Sequence, residues 1–212
     1  MKIISTNIAE SKTILWKGRE VTTGLFKYPV EHPLFLGNEG VENDHVIDRR
    51  YHGGADKACY LYSADHYKYW QNLYPELDLP WGMFGENLTV EGLHEADINI
   101  GNIYKIGEAV VQVTQPRQPC FKLEFRFPDK EIVRKFVHAG YPGVYLRILE
   151  TGKVKAGNKM ELIEKKEALS IQKVYELLYT GKFDAAVKQA VNDPFIAESC
   201  KKDLLKRWGE WL

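Results

Sequence analysis

The chain has 212 residues, 44% of them hydrophobic and 27% charged, which sets it among soluble globular proteins with one large domain or one domain and a small appendage. Its 29 Lys and Arg balance 29 Asp and Glu, so it is not built to neutralise many phosphates and no stable nucleic-acid binding is expected. Cys59, Cys120 and Cys200 are too few, and odd in number, for a disulfide framework. The first residues lack a signal peptide's apolar core and no stretch approaches ~18 apolar residues, so a cytoplasmic protein with no membrane span is expected.

Residues 2–30 read as short strands, with a glycine turn inside Trp16–Lys27 that signals a hairpin. Leu36–Tyr60 is too rich in Gly, Asn and Asp for a regular element, and loops of that length are functional or disordered. Within it, His52-Gly53-Gly54 lets the backbone approach a ligand closely, and Lys57 follows one turn on. The same residues also suit a plain Gly-rich hairpin with surface charges. Ser63 can cap a helix over 64–73 with Tyr67, Trp70 and Leu73 on its core face. Gly82 and Gly85 frame a turn before a strand. Glu86 and Asn87 there need hydrogen-bond partners if buried, either to organise the turn or to face a polar ligand. Alternating apolar residues over 97–114, broken by Gly101 and Gly107, suggest tight hairpins in a closed or strongly bent sheet.

Gln115-Pro116-Arg117-Gln118-Pro119-Cys120 then follows a strand-like run, Ala109–Thr114. Each proline fixes its own φ and pushes the residue before it out of the α region, which makes a stiff, extended loop. A cysteine held this way beside an arginine suits a thiolate, the form that acts as nucleophile and metal ligand. A small buried apolar thiol is the other role open to Cys120. Asp129 can cap a helix through about residue 138, ended by Gly140 and Pro142. Val144–Glu150 and Lys159–Ile163 then read as a hairpin turning at Thr151-Gly152. From Ser170 the pattern is helical, with Asp193-Pro194 as a helix start. These features divide the chain into residues 1–166, mainly β, and residues 167–212, three short helices too small to bury a core alone. The basic residues Lys201, Lys202, Lys206 and Arg207 suit a solvated face or an acidic partner.

Taken together, His52-Gly53-Gly54-Ala55-Asp56-Lys57-Ala58, Gly85-Glu86-Asn87-Leu88 and Gln115–Cys120 resemble, in order and spacing, a MOSC domain, named for the C-terminal domain of molybdenum cofactor sulfurase. The tail resembles the three-helix extension of the bacterial YiiM-type branch. The resemblance implies a mainly β fold: a MOSC-type β-barrel with a few flanking helices, plus a small C-terminal three-helix domain. It implies binding of the molybdenum cofactor (molybdopterin), with Cys120 as metal ligand and catalytic residue, and reduction of N-hydroxylated compounds such as 6-hydroxylaminopurine. The family also carries a pyridoxal phosphate-binding description. Arg49, Lys57 and Arg117 are the candidate cations for the cofactor's phosphate. His52, Gly53, Gly54, Glu86 and Asn87 are candidates for its pterin edge or surroundings. Relatives have Gly-Asp and then Gln where this chain has Asn43-Asp44-His45-Val46. No flavin or iron–sulfur motif is evident, so a partner reductase carrying one of these is expected as electron donor, and a homodimer is compatible with the sequence. A persulfide on Cys120 acting as a sulfur carrier is the alternative within the family. A hydrolase using Asp44, His45 and His52 around zinc, or a non-enzymatic binding module, stands outside it, and those residues lack a compact zinc spacing.

Overall fold

The computed structural model describes residues 1–45, 53–179 and 182–212. Its main sheet joins eight strands in the order β13-β9-β10-β11-β7-β8-β1-β4. These are β1 (Lys2–Ala9), β4 (Lys27–Val30), β7 (Cys59–Ser63), β8 (Leu88–Glu91), β9 (Ile103–Ile106), β10 (Ala109–Pro116), β11 (Val144–Glu150) and β13 (Met160–Glu164). All pairs are antiparallel except β7 with β8. Pro29 lies in β4, at the edge, where a missing N–H costs no ladder bond. The ladder does not close into a barrel among the described residues. Its two sides meet only where the start of β1 reaches the approach to β13: Ile3 N donates to Asn158 O (2.9 Å), Gly157 N to Ile3 O (2.8 Å) and Met160 N to Met1 O (3.0 Å). The sheet is therefore strongly bent, with an isolated bridge rather than a continuous seam between β1 and the approach to β13.

Two small sheets complete the β structure. One holds β12 (Gly152–Val154), β5 (Leu34–Gly37) and β6 (Gly40–Val41), and the other is the hairpin of β2 (Lys12–Trp16) and β3 (Arg19–Thr23). Lys17 and Gly18 take φ of 49° and 77° at the turn of that hairpin, as expected of a two-residue loop whose twist matches its strands. The expected hairpin of 144–150 with 159–163 does not form. β11 pairs with β10 and β7, β12 pairs with β5, and β13 pairs with β9. The chain at Gly152 is captured instead over the β9–β10 turn. A Cβ there would lie 2.6 Å from the Glu108 carbonyl carbon, and Lys153 N donates to Glu108 Oε2 (3.0 Å).

The helices are α1 (Tyr67–Leu73), α2 (Ile132–Ala139), α3 (Ile171–Tyr179), α4 (Ala186–Asn192) and α5 (Glu198–Trp208). Ser63 Oγ accepts from Asp65 N, and Gly140 ends α2 in the left-handed region, both as the sequence suggests. Asp193 accepts from Phe195 N (2.8 Å), but α5 starts only at Glu198. The residues between are held flat against β10: Ala197 N donates to Thr114 O (3.2 Å), and the Phe195 ring covers Gly101. Buried residues of the last three helices, among them Val174, Leu177, Val187 and Leu204, belong to the same core as Ile3, Leu61, Val111 and Leu146 of the sheet. A second, aromatic core of Tyr60, Tyr62, Trp70, Phe84, Phe136 and Tyr145 packs α1 and α2 on the other face of β7 and β11. Among the described residues no helix is long and apolar enough to cross a membrane.

Two outcomes follow from this packing. Leu204 is fully buried in the shared core, so Leu204→Ala is expected to cost about 2–5 kcal/mol and to lower the stability of sheet and helices in one transition, read by denaturation followed at a helix and a sheet signal. Asp129 joins α1 to α2 by accepting from Tyr74 OH (2.6 Å), Lys135 Nζ (2.6 Å) and Glu131 N (2.8 Å). The Lys135 bond first, then those of Tyr74 and Glu131, hold its carboxyl down to about 2, below the ~3.9 of an unfolded Asp. Folding thus releases protons from this group, and its contribution is complete above pH ~4 and lost as pH falls through 2. Asp129→Asn should lower the urea midpoint at pH 6, and the gap from the parent should close between pH 4 and 2.

Candidate functional site

Strand β10 delivers the proline-bracketed loop to one end of the sheet. Cys120 is extended (φ −127°, ψ 164°) and opens a short 3-10 turn, Phe121–Phe125. Its thiol is half-buried, whereas Cys59 and Cys200 are fully buried and burial pushes both up to about 12. Cys120 is thus the thiol of this chain that chemistry can reach. It stands on the wall of a cleft of about 610 Å³, part of it open to solvent. Thr23, Gly24, Leu25 and Lys27 form one side, and Phe84, Gly85 and Asn87 come from the turn before β8. Lys57, Ala58 and Tyr60 at the start of β7, with Arg117, Lys122 and Tyr145, complete the lining.

The charge on these walls is positive. Arg117 is 4% exposed, and its guanidinium carbon lies 5.4 Å from the centre of the Tyr60 ring and 5.2 Å from that of Phe136. The ring faces offset part of the cost of burying the charge. No carboxylate pairs with it among the described residues, and its Nη1 is buried with no hydrogen-bond partner. Guanidinium stays protonated in proteins, so this is a buried cation facing a cleft, uncompensated by any described carboxylate. The Tyr60 and Tyr145 phenols beside it are neutral, because burial raises their pKa more than the Arg117 charge lowers it. Tyr60 OH donates to Pro142 O (2.8 Å). Burial also lowers the pKa of the Lys57 ammonium, against the pull of Asp203 and Asp56. Lys122 is 7% exposed.

The opposite wall is neutralised. Lys27 pairs with Asp44, whose carboxylate also accepts from Ala9 N (3.0 Å) and Asn87 Nδ2 (2.9 Å). Asn87 Oδ1 in turn accepts from Tyr60 N (3.3 Å). His45 Nδ1 lies 3.0 Å from Ala9 O. Asp44 and His45 are thus engaged in tying their loop to β1, and among the described residues no three His, Cys, Asp or Glu side chains gather as a metal site.

Of the residues singled out in the sequence, Cys120, Arg117, Lys57 and Asn87 come together on this cleft. Gly53 and Gly54 lead into the 3-10 turn Ala55–Lys57, with Gly54 at φ 91° and its carbonyl accepting from Lys57 N (2.9 Å). Glu86 does not line the cleft. Its buried carboxylate accepts from Gly82 N (2.8 Å), Phe84 N (3.1 Å), Thr89 Oγ1 (3.0 Å) and Tyr67 OH, so it organises the turn that presents Asn87. Arg49 and His52 lie outside the described residues. Sequence reasoning passed over Lys27, Tyr60, Lys122 and Tyr145. Lys122, two residues after Cys120, was within reach of that motif; the other three reach the cleft only through strand pairing.

The MOSC domain family model matches residues 48–161. The uncharacterized protein YflK of Bacillus subtilis is 37% identical over 97% of this chain and 93% of its own length. A protein of Gibberella moniliformis described as a reductase is 35% identical over 74% of this chain, which spans only 29% of that longer protein. The crystal structure of YiiM from Geobacillus stearothermophilus superposes with a TM-score of 0.82 at 36% identity, covering 97% of this chain and 98% of its own. The family model spans the cysteine loop, and by the match of its central residues and of its relatives this chain belongs to the MOSC domain family.

Proposed function

We propose that this protein is an oxidoreductase that binds the molybdenum cofactor and reduces N-hydroxylated compounds with electrons from a partner reductase. The observation that carries the reading is Arg117: a buried cation with an orphaned Nη1, on the wall that also holds the accessible thiol. Such a pairing suits a ligand with an anionic end and a thiophilic metal, which describes a phosphorylated pterin dithiolene carrying molybdenum. Arg117 would take the phosphate, with Lys57 and Lys122 adding positive charge, and Asn87, held by Asp44 and Tyr60 N, would shape the opposite wall. Cys120 would supply the thiolate to the metal. When bound, the cofactor supplies the two-electron change needed for R–NHOH + 2e⁻ + 2H⁺ → R–NH₂ + H₂O. The neutral aromatic side chains beneath the cleft would help exclude water.

The electron donor is expected to be a separate flavin or iron–sulfur protein. The much greater length of the fungal reductase agrees with this, since it leaves room for further modules on that chain. Activity with the purified chain and NADH alone would count against the proposal.

Loss of a buried charge that no described carboxylate pairs gives the reading a particular signature. Arg117→Met should leave the cofactor-free protein as stable as the parent or more stable by about 1–3 kcal/mol, while cofactor retention is lost. A large drop in the stability of the cofactor-free variant would assign Arg117 to the fold instead. Expressed in a host that makes the cofactor, the parent should carry stoichiometric molybdenum and Cys120→Ala close to none, measured by metal and pterin analysis. Cyanolysable sulfur on Cys120 without molybdenum would point to the sulfur carrier.

A further inference from the structure

The C-terminal helices touch the site directly, and they do so at the cysteine loop. Three hydrogen bonds join the start of α5 to the segment running from the end of β10 to Cys120. Ala197 N donates to Thr114 O (3.2 Å), Ser199 Oγ to Gln115 Oε1 (3.0 Å) and Gln118 Nε2 to Asp203 Oδ2 (2.7 Å). Ser199 and Asp203 are four residues apart, one helical turn, so both project from the same side of α5. They contact the residues on either side of Pro116 and Arg117. The helix itself is fixed by the buried side chains of Cys200, Leu204 and Trp208, and Trp208 Nε1 donates to Leu177 O (2.7 Å). A rigid helix thus holds a loop that has no ladder partner of its own beyond Pro116.

We infer that α5 clamps the loop bearing Arg117 and Cys120, and that Ser199 and Asp203 are positioning residues of the site. The prolines limit the loop's local freedom but do not choose where it sits; the helix does. The clamp also explains why a chain with a complete sheet carries a helical tail packed on β10 rather than tethered apart from it. Asp203 has a second effect, since its charge opposes the loss of the Lys57 proton caused by burial. The consequence for cofactor retention rests on the function proposed above, but the clamp itself does not.

The test uses the metal-free 212-residue chain, where Cys120 is the reachable thiol. The alkylation rate of Cys120 with iodoacetamide and the amide exchange of residues 117–123 are measured in the parent, Ser199→Ala, Asp203→Ala and the double variant. With the melting temperature kept within a few degrees, each single variant should alkylate Cys120 roughly two- to threefold faster and the double variant roughly five- to tenfold faster. Asp203→Asn, which keeps an acceptor for Gln118, should restore most of the parent rate, and Lys206→Ala should leave it unchanged. If the double variant does not fold, the single variants carry the same expectation. Parent-like alkylation and exchange in folded variants would overturn the clamp. Protein loaded in a cofactor-producing host should show reduced molybdenum content in the double variant. A clamp effect without molybdenum in any variant, parent included, would instead refute the cofactor reading and leave the clamp standing.

Discussion

Strand β10 has almost no solvent-facing residue, and much of the molecule follows from the need to cover both of its faces. Val111 and Val113 point into the core shared with Leu61 and Leu146. Gln112 and Thr114, on the other face, are also buried, and each has to find hydrogen-bond partners at a distance. Gln112 donates to Gly101 O (3.2 Å) and accepts from Arg147 Nη1 (3.0 Å), while Thr114 Oγ1 donates to Asp56 O (2.6 Å), with Tyr145 O 3.0 Å away. The strand therefore locks together the 3-10 turn that carries Lys57, the neighbouring strand β11 and the helices packed behind it. Where it ends, at Pro116, the loop to Cys120 begins.

The site is assembled from groups that differ in what they contribute to folding. Glu86 and Asp44 are buried carboxylates with several donors each, and they serve to hold two turns at the cleft's edge. Arg117 is the opposite case, a buried charge without a carboxylate partner among the described residues, tolerated over two aromatic faces. A protein gains no stability from such a group. Its position on the cleft is what makes it informative, because an Nη1 with no partner among the described residues is open to an anion bound there. The aromatic core beneath provides a low-dielectric floor that strengthens any anion contact made there.

Much was legible in the sequence where the chemistry is local. The two prolines around Arg117 announced a stiff loop, Gly140 announced the end of α2, and the three ordered motifs pointed to the family and to Cys120, Lys57 and Asn87 as neighbours. Boundaries that depend on distant contacts were not legible. The hairpin read into 144–163 fails because Gly152 is drawn over Glu108. Helix α5 starts late because Phe195 is held over Gly101 and Ala197 against β10. Lys27 and Tyr145 join the cleft through strand pairings that no local pattern announces.

By itself, then, the sequence determined the turns, caps and rigid segments, since these depend on φ restrictions and on side chains reaching their own neighbours. It also determined which residue types were available for anion binding and metal ligation. The tertiary structure decided which of them meet. It spent Glu86 on a turn, left Arg117 Nη1 without a partner among the described residues, and brought Ser199 and Asp203 from the far end of the chain onto the cysteine loop. The physical reason is that burial and counter-charge are properties of a packed interior, and they exist only once segments distant in sequence have been brought together.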